Sequence, residues 1–352
     1  MSPGGWRPRT SSRKKRKGSG VTSRRRAQGA DTARPSLALA PPSSRKLLLN
    51  LLPPEKSKWP AALAARRAQY AQFCAEMIRF PDEPGGPNAL DAAVGEGLLA
   101  RTPTEDHPLA TEDHPLATKA GSKWKAFFAD AEIREQIDRD VMRTHPDMHF
   151  FSSPEGEAVE NRAQMKRALF VYAKLNPGIR YVQGMNEVYA PLYWAFRTSP
   201  DRDSHDNAEA DAFFCFMDLL SEFRDNYCKQ LDNSEVGIKA TLADLSARLA
   251  RADKELSRHL ELKLQINPQF YAFRWITLLF SQEFHFPDLV RLWDTMLSDE
   301  AGRADYILRI CVACLVFIRA QLLEGDFATC LKTLQRYPPV DVRDLIGTAA
   351  NL

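Results

Sequence analysis

The sequence predicts an all-α fold, on three observations. From Trp124 onward apolar residues recur at helical spacing almost without interruption. No stretch alternates apolar and polar residues for long enough to make a strand. At 352 residues with 44% hydrophobic and 26% charged side chains, the chain has an ordinary soluble composition, long enough for one large domain or two small ones plus tails.

In chain order, residues 1–43 come first and stand apart. They are rich in Arg, Lys, Ser, Gly and Pro, and too poor in large apolar side chains to offset the entropy of ordering, so a disordered basic tail is predicted. Ten Lys and Arg and no acid fall in residues 1–30, in blocks such as Arg13-Lys14-Lys15-Arg16-Lys17 and Arg24-Arg25-Arg26. The remaining chain holds 38 basic against 45 acidic residues, a net charge of −7. Such blocks attract anionic membrane surfaces, nucleic acid or an import receptor. A solvated tail without a specific partner is an equal reading, because aromatic interleaving is limited to Trp6. Nucleic acid rests on charge alone and is disfavoured. The N-terminus has no apolar stretch of the kind a secretory signal needs, although an Arg- and Ser-rich, acid-free start also suits an organellar transit peptide, the minority alternative.

After an apolar run from Leu47 and the pair Pro53-Pro54, the spacing of Leu63, Tyr70, Phe73, Met77 and Ile78 predicts a helix over 59–79. Residues 81–122 read as a Pro/Gly-rich linker. It contains a tandem repeat, Thr104-Glu105-Asp106-His107-Pro108-Leu109-Ala110 followed by Thr111-Glu112-Asp113-His114-Pro115-Leu116-Ala117. A Pro in each seven-residue unit rules out a heptad coil, and two copies are too few for a solenoid. Helices are then predicted over 123–129, 132–144, 160–175, 185–197, 209–231, 235–265, 269–281, 286–298, 303–324 and 327–336. The polar, Pro-bounded residues 199–207 read as an exposed loop. The longest apolar run, residues 310–318, is nine long between Arg309 and Arg319, a core helix segment and not a membrane span. Six scattered cysteines with no small-domain framework read as reduced thiols in a cytoplasmic setting.

Two stretches carry the candidate site. In the first, Ile137, Asp140 and Arg143 fall at i, i+3 and i+6, so on a helix Ile137 and Asp140 share a face while Arg143 is rotated away; Pro146 then ends the turn. In the second, Asn176-Pro177-Gly178 stops one helix and an apolar helix opens at about Met185, which puts Tyr181, Gln183 and Gly184 on a loop at a helix N-terminus. A long cationic donor at one element's end and an amide at another's start together reach a bound anionic or polar group. Alone, Arg143 also reads as a solvated helix-end cation, and Gln183 as a residue bonding orphan amides.

Ile137-x-x-Asp140-x-x-Arg143 and Tyr181-x-Gln183 resemble the two signature motifs of the TBC domain, the helical Rab GTPase-activating fold. The likeness continues through Phe273-Arg274-Trp275-Ile276-Thr277-Leu278-Leu279-Phe280-Ser281-Gln282-Glu283-Phe284 and Leu292-Trp293-Asp294, with Gln282 where the family's third motif has an arginine. It covers roughly residues 123–345 and is greatest to the family's member-13 branch. The resemblance implies a multi-helix TBC domain over residues 44–347, with a Rab-family GTPase in its GTP state as partner. It implies that Arg143 enters the partner's nucleotide site as an arginine finger, the planar, always-charged guanidinium stabilising charge on the transferring phosphoryl. Gln183 would be the second finger, a neutral amide that donates and accepts at once and so orients the attacking water. Tyr181, Gly184 and Met185 would position and pack, Gly184 by allowing close backbone approach to the partner. Asp140 would hold the arginine's loop by accepting hydrogen bonds.

The chain would carry no cofactor of its own: it has no Gly-x-x-x-x-Gly-Lys-Ser/Thr, so GTP and magnesium would belong to the partner. Cys311-Val312-Ala313-Cys314 sits within an apolar helix with no second pair, and Pro146 separates His145 from His149, so neither reads as a metal site. The resulting expectation is a Rab GTPase-activating protein of vesicle trafficking, cytoplasmic or peripheral on endomembranes. The rival is a catalytically silent TBC scaffold that binds a small GTPase or another trafficking partner without turnover.

Overall fold

The computed structural model describes residues 41–78, 123–227 and 237–352. Nearly all of the basic tail, and the whole linker with its repeat, lie outside these residues. Those described form helices and connecting turns, with no strand among them.

Helix α1, Pro42–Leu48, starts at a proline whose fixed φ suits the first helical turn. It is short and buries two cations. Arg45 donates to both Asp294 oxygens at 2.7 and 2.9 Å, and Lys46 Nζ donates to Asp211 Oδ2 at 2.6 Å and Ser204 Oγ at 2.8 Å. These charges survive burial because each meets a carboxylate in hydrogen-bonding geometry, which offsets desolvation. Helix α2, Trp59–Met77, buries Tyr70, and its Arg67 also bonds Asp211 and Asp203.

The two helices predicted over 123–129 and 132–144 are one, α3, Lys123–Met142. Nothing at residues 130–131 breaks it, since Asp130 faces the next layer and accepts from Lys174 Nζ at 2.8 Å. It stops before 144 because His145 precedes a proline, which disfavours the right-handed helical region; His145 takes φ 39°. After the single turn α4, His149–Ser152, helix α5, Glu157–Leu175, begins three residues earlier than predicted, with Glu157 and Glu160 favoured by the helix dipole. Helix α6, Met185–Arg197, matches its expected bounds and is buried almost all round, packed against α5 and against α8, Ala208–Glu222. Between α6 and α8, the expected exposed loop 199–207 holds a further turn, α7, Arg202–Asp206. Asp201 caps it, and its Ser204 is buried because it accepts the Lys46 ammonium.

The helix expected over 209–231 ends at Glu222 and passes into a 3-10 turn, Arg224–Tyr227. The one expected over 235–265 breaks into α9, Ile238–Ala252, then α10, Lys254–Ser257, then a wider turn, Arg258–Lys263. The break is at Asp253, which is extended so that its carboxylate can accept from Leu256 N at 2.9 Å and from Arg319 Nε at 2.6 Å. Helix α11, Ala272–Thr277, is far shorter than the expected 269–281. Leu279 and Phe280 take φ of 49° and 62°, held there by Trp293 Nε1 donating to Leu279 O at 2.8 Å and by burial of the Phe280 ring. Helices α12, Phe286–Leu297, and α13, Arg303–Phe317, complete the C-terminal core. Ile318 separates α13 from α14, Arg319–Glu324, where a single helix over 303–324 was expected. Helix α15, Phe327–Gln335, is capped by Asp326; α16, Val342–Ala349, was not expected, and packs on α12 and α13.

Candidate functional site

The site forms where the end of α3 meets the loop between α5 and α6. Ile137 and Asp140, on the inner face of α3, are 1% and 3% exposed, whereas the Arg143 side chain, just past the helix end, is 58% exposed. The end of the helix at Met142 thus separates a buried carboxylate from a solvent-facing cation. Across from it, Asn176 O accepts from both Ile179 N and Arg180 N, folding the loop back, and Arg180 takes φ 61°. Gln183 lies exposed at the loop's end and Met185 is buried as the first residue of α6.

Asp140 joins the two pieces. Its Oδ1 accepts from Arg143 Nη2 at 2.7 Å and its Oδ2 from the Tyr181 hydroxyl at 2.7 Å. Burial, and then the Asp140 carboxylate, push the Tyr181 phenol far above its ordinary range, so it is a permanent donor. The Asn186 amide nitrogen reaches Thr144 Oγ1 at 2.9 Å and Glu187 Oε1 at 3.1 Å, tying α6 to the α3 end. The remaining guanidinium nitrogens of Arg143 have no bond among the described residues and face an open cleft of about 440 Å³. Arg143, Gln183, Asn186, Glu187 and Gln282 line that cleft together.

Gly184 has a reason within the chain for being glycine. Its φ is 98°, and a Cβ there would come 2.5 Å from Leu278 Cδ2. Gly184→Ala is expected to cost about 1–2 kcal/mol from backbone strain alone, more if Leu278 must move. A urea unfolding midpoint checks this, and an unchanged midpoint would refute it.

Sequence reasoning gave no role to Asn186, Glu187 or His145. Polar residues in the first turn of an otherwise apolar helix were the available signal, since a buried polar group needs a partner. Glu187 is buried, and desolvation pushes its carboxyl up to about 7. His145 Nε2 stands 3.6 Å from Glu187 Oε2, beyond hydrogen-bond range, and burial lowers its imidazole to about 4. Glu187 is therefore protonated in the fold mainly below about pH 7 and His145 neutral above about pH 4, with opposite consequences. Between 4.5 and 7 the folded state keeps a Glu187 proton the unfolded chain has lost, so stability falls as pH rises. Between 6.5 and 4 the unfolded chain binds a His145 proton the folded state refuses, so stability falls as pH drops. In the overlap the two slopes offset. Glu187→Gln should expose the histidine slope: thermal midpoints of the variant should drop more steeply than wild type on acidification from pH 6.5 to 4.5, and parallel curves would refute the offset.

Arg274 lies at the cleft's far wall and donates to both Glu283 oxygens, at 2.6 and 2.9 Å. Among the described residues no group of three His, Cys, Asp or Glu side chains is placed to hold a metal ion, and no helix is long and apolar enough to cross a membrane.

Comparison with known proteins gives a consistent result. The Rab-GTPase-TBC domain family matches residues 123–323. TBC1 domain family member 13 of Homo sapiens is 39% identical over 87% of this chain and 88% of its own length. GTPase-activating protein gyp1 of Schizosaccharomyces pombe is 28% identical over 60% of this chain and 42% of its own. Among solved structures, the Ypt/Rab-GAP domain of Gyp1p has the same fold, with a TM-score of 0.65 at 22% identity, covering 88% of this chain and 86% of that one.

Proposed function

This chain belongs to the Rab-GTPase-TBC domain family, and from that premise we propose that it accelerates GTP hydrolysis on a Rab-family partner by inserting Arg143 and Gln183 into the partner's nucleotide site. The observation that carries the reading is that both side chains are exposed and line one cleft, while the residues beneath them are buried and bonded to one another. A guanidinium held by one bond to Asp140, with its other donors open, is aimed without being used up. Phosphoryl transfer asks for charge stabilisation and a positioned water, and needs no covalent chemistry from this chain. GTP and magnesium come with the partner. Asp140 and Tyr181 position the arginine and Met185 anchors the start of α6.

A silent scaffold would bind the same partner without turnover. Two open polar side chains facing one cleft favour the enzyme, since charge stabilisation and water positioning need both groups at one place. The setting we propose is cytoplasmic, with the basic tail meeting anionic endomembranes. The deciding experiment is single-turnover phosphate release from a panel of GTP-loaded small GTPases with the full chain. Stimulation of at least one supports the enzyme; binding without stimulation of any would establish the scaffold.

A further inference from the structure

Three phenylalanines stand in one groove beside the cleft. Phe270, Phe273 and Phe327 are 53%, 42% and 44% exposed, and with Arg274 and Lys332 they line an open groove of about 720 Å³ between α11 and α15. None of the three stacks on another ring among the described residues. Single exposed apolar side chains are common and need no explanation, as with Leu262, but several sharing one concave surface mark a contact site.

We infer that this groove is a second docking surface for the same GTPase, receiving an apolar segment flanked by carboxylates next to the partner's nucleotide site, and that it contributes affinity rather than catalysis. The inference rests on the proposed GTPase-activating reading. Continuity supports it first: Phe273 and Arg274 line both the groove and the cleft that holds Arg143 and Gln183, so a body seated on the fingers extends over the groove. The walls are also fixed in advance. Arg274 Nη2 donates to Gln335 O at 2.7 Å and Gln335 Nε2 donates to Phe270 O at 3.1 Å, pinning the end of α15 to the turn before α11. Asp326 accepts from Thr329 N at 2.8 Å and fixes the helix start that presents Phe327. A groove built before binding loses little entropy on being filled.

Charge narrows the occupant. Lys332 and Arg336 are exposed on the rim, with no ion-pair partner among the described residues, although the chain beyond residue 30 is net acidic. A cationic rim around an aromatic floor fits an apolar segment with acidic flanks and repels this chain's own basic tail. A lipid surface fits less well, because membrane-binding aromatics protrude whereas these line a concavity.

The test uses the full chain and whichever panel GTPase it stimulates, with hydrolysis rates measured across protein concentration. Phe270→Ser/Phe327→Ser removes two exposed rings, so an unchanged unfolding midpoint is expected, and KM should rise roughly tenfold or more while kcat stays within about twofold. Lys332→Glu should raise KM mainly at low salt. An unchanged KM for the double variant would overturn the inference and leave the finger reading intact. If a GTPase binds without being stimulated, the enzyme reading falls, and the groove stands only if the double variant weakens that binding. Failure to bind any GTPase overturns both. A wild-type dimer that the double variant dissociates, or vesicle flotation that it abolishes, would also overturn the inference by giving the groove another occupant.

Discussion

Arg143→Ala is expected to cut stimulated GTP hydrolysis by roughly a thousandfold to a hundred-thousandfold, about 4 to 7 kcal/mol of transition-state stabilisation, while binding of the GTP-loaded partner persists. The split follows from placement. The guanidinium is mostly exposed and makes one bond within the chain, so in the unreacted complex it adds only one cation to a broad surface. Charge spreading over the phosphoryl oxygens in the transition state is what it would meet with a planar, multiply donating fork. Arg143→Lys should rescue poorly, since an ammonium keeps the charge but cannot span two oxygens. Folding should be spared: Asp140 keeps the Tyr181 hydroxyl as donor when the arginine is removed. Phosphate release under single-turnover conditions, with binding measured separately on a GTP-state mimic, checks both halves. Wild-type stimulation surviving in Arg143→Ala would remove Arg143 from the mechanism.

How much of this was legible in the sequence differs between elements and their ends. Helices with strong periodicity, such as α6 and α12, were read with bounds good to a residue, because burial of one apolar face decides both their existence and their length. Ends set by distant partners were not. Helix α7 is a polar turn given its place by Lys46, far earlier in the chain, and α11 stops short because Trp293 holds Leu279 in a left-handed conformation. The break at Asp253 likewise depends on Arg319. Nothing local announces such long-range bonds.

At the candidate site, spacing placed Ile137 and Asp140 on one face, which packing buries, and Gln183 on the loop before α6. That Arg143 and Gln183 line one cleft needed the fold, since forty residues and all of α5 separate them. The opposed shifts of Glu187 and His145 were also out of reach, because a titrating group's state depends on burial that only packing defines.

Gln183→Ala should also lose most of the stimulation, and the Arg143→Ala/Gln183→Ala double variant should be scarcely worse than either single one. Gln183 is exposed at the cleft edge, one residue before Gly184, whose φ of 98° turns the chain into α6, so its carboxamide is presented at the start of a buried helix. An amide there can accept from the attacking water and donate to a phosphoryl oxygen in the same geometry, which neither a carboxylate nor an ammonium can do. Orientation of the water and stabilisation of the phosphoryl charge serve one transition state. Removing either leaves the other acting on a configuration that no longer forms, so the two losses overlap. Independent contributions would instead multiply, and the double variant would fall by the product of the single effects. The cycle is read from four single-turnover rates on one GTPase, with GTP-state binding confirmed for each protein. Losses that multiply would separate the two residues into unrelated roles, and a Gln183→Ala variant as active as wild type would leave the partner's own residues to orient the water.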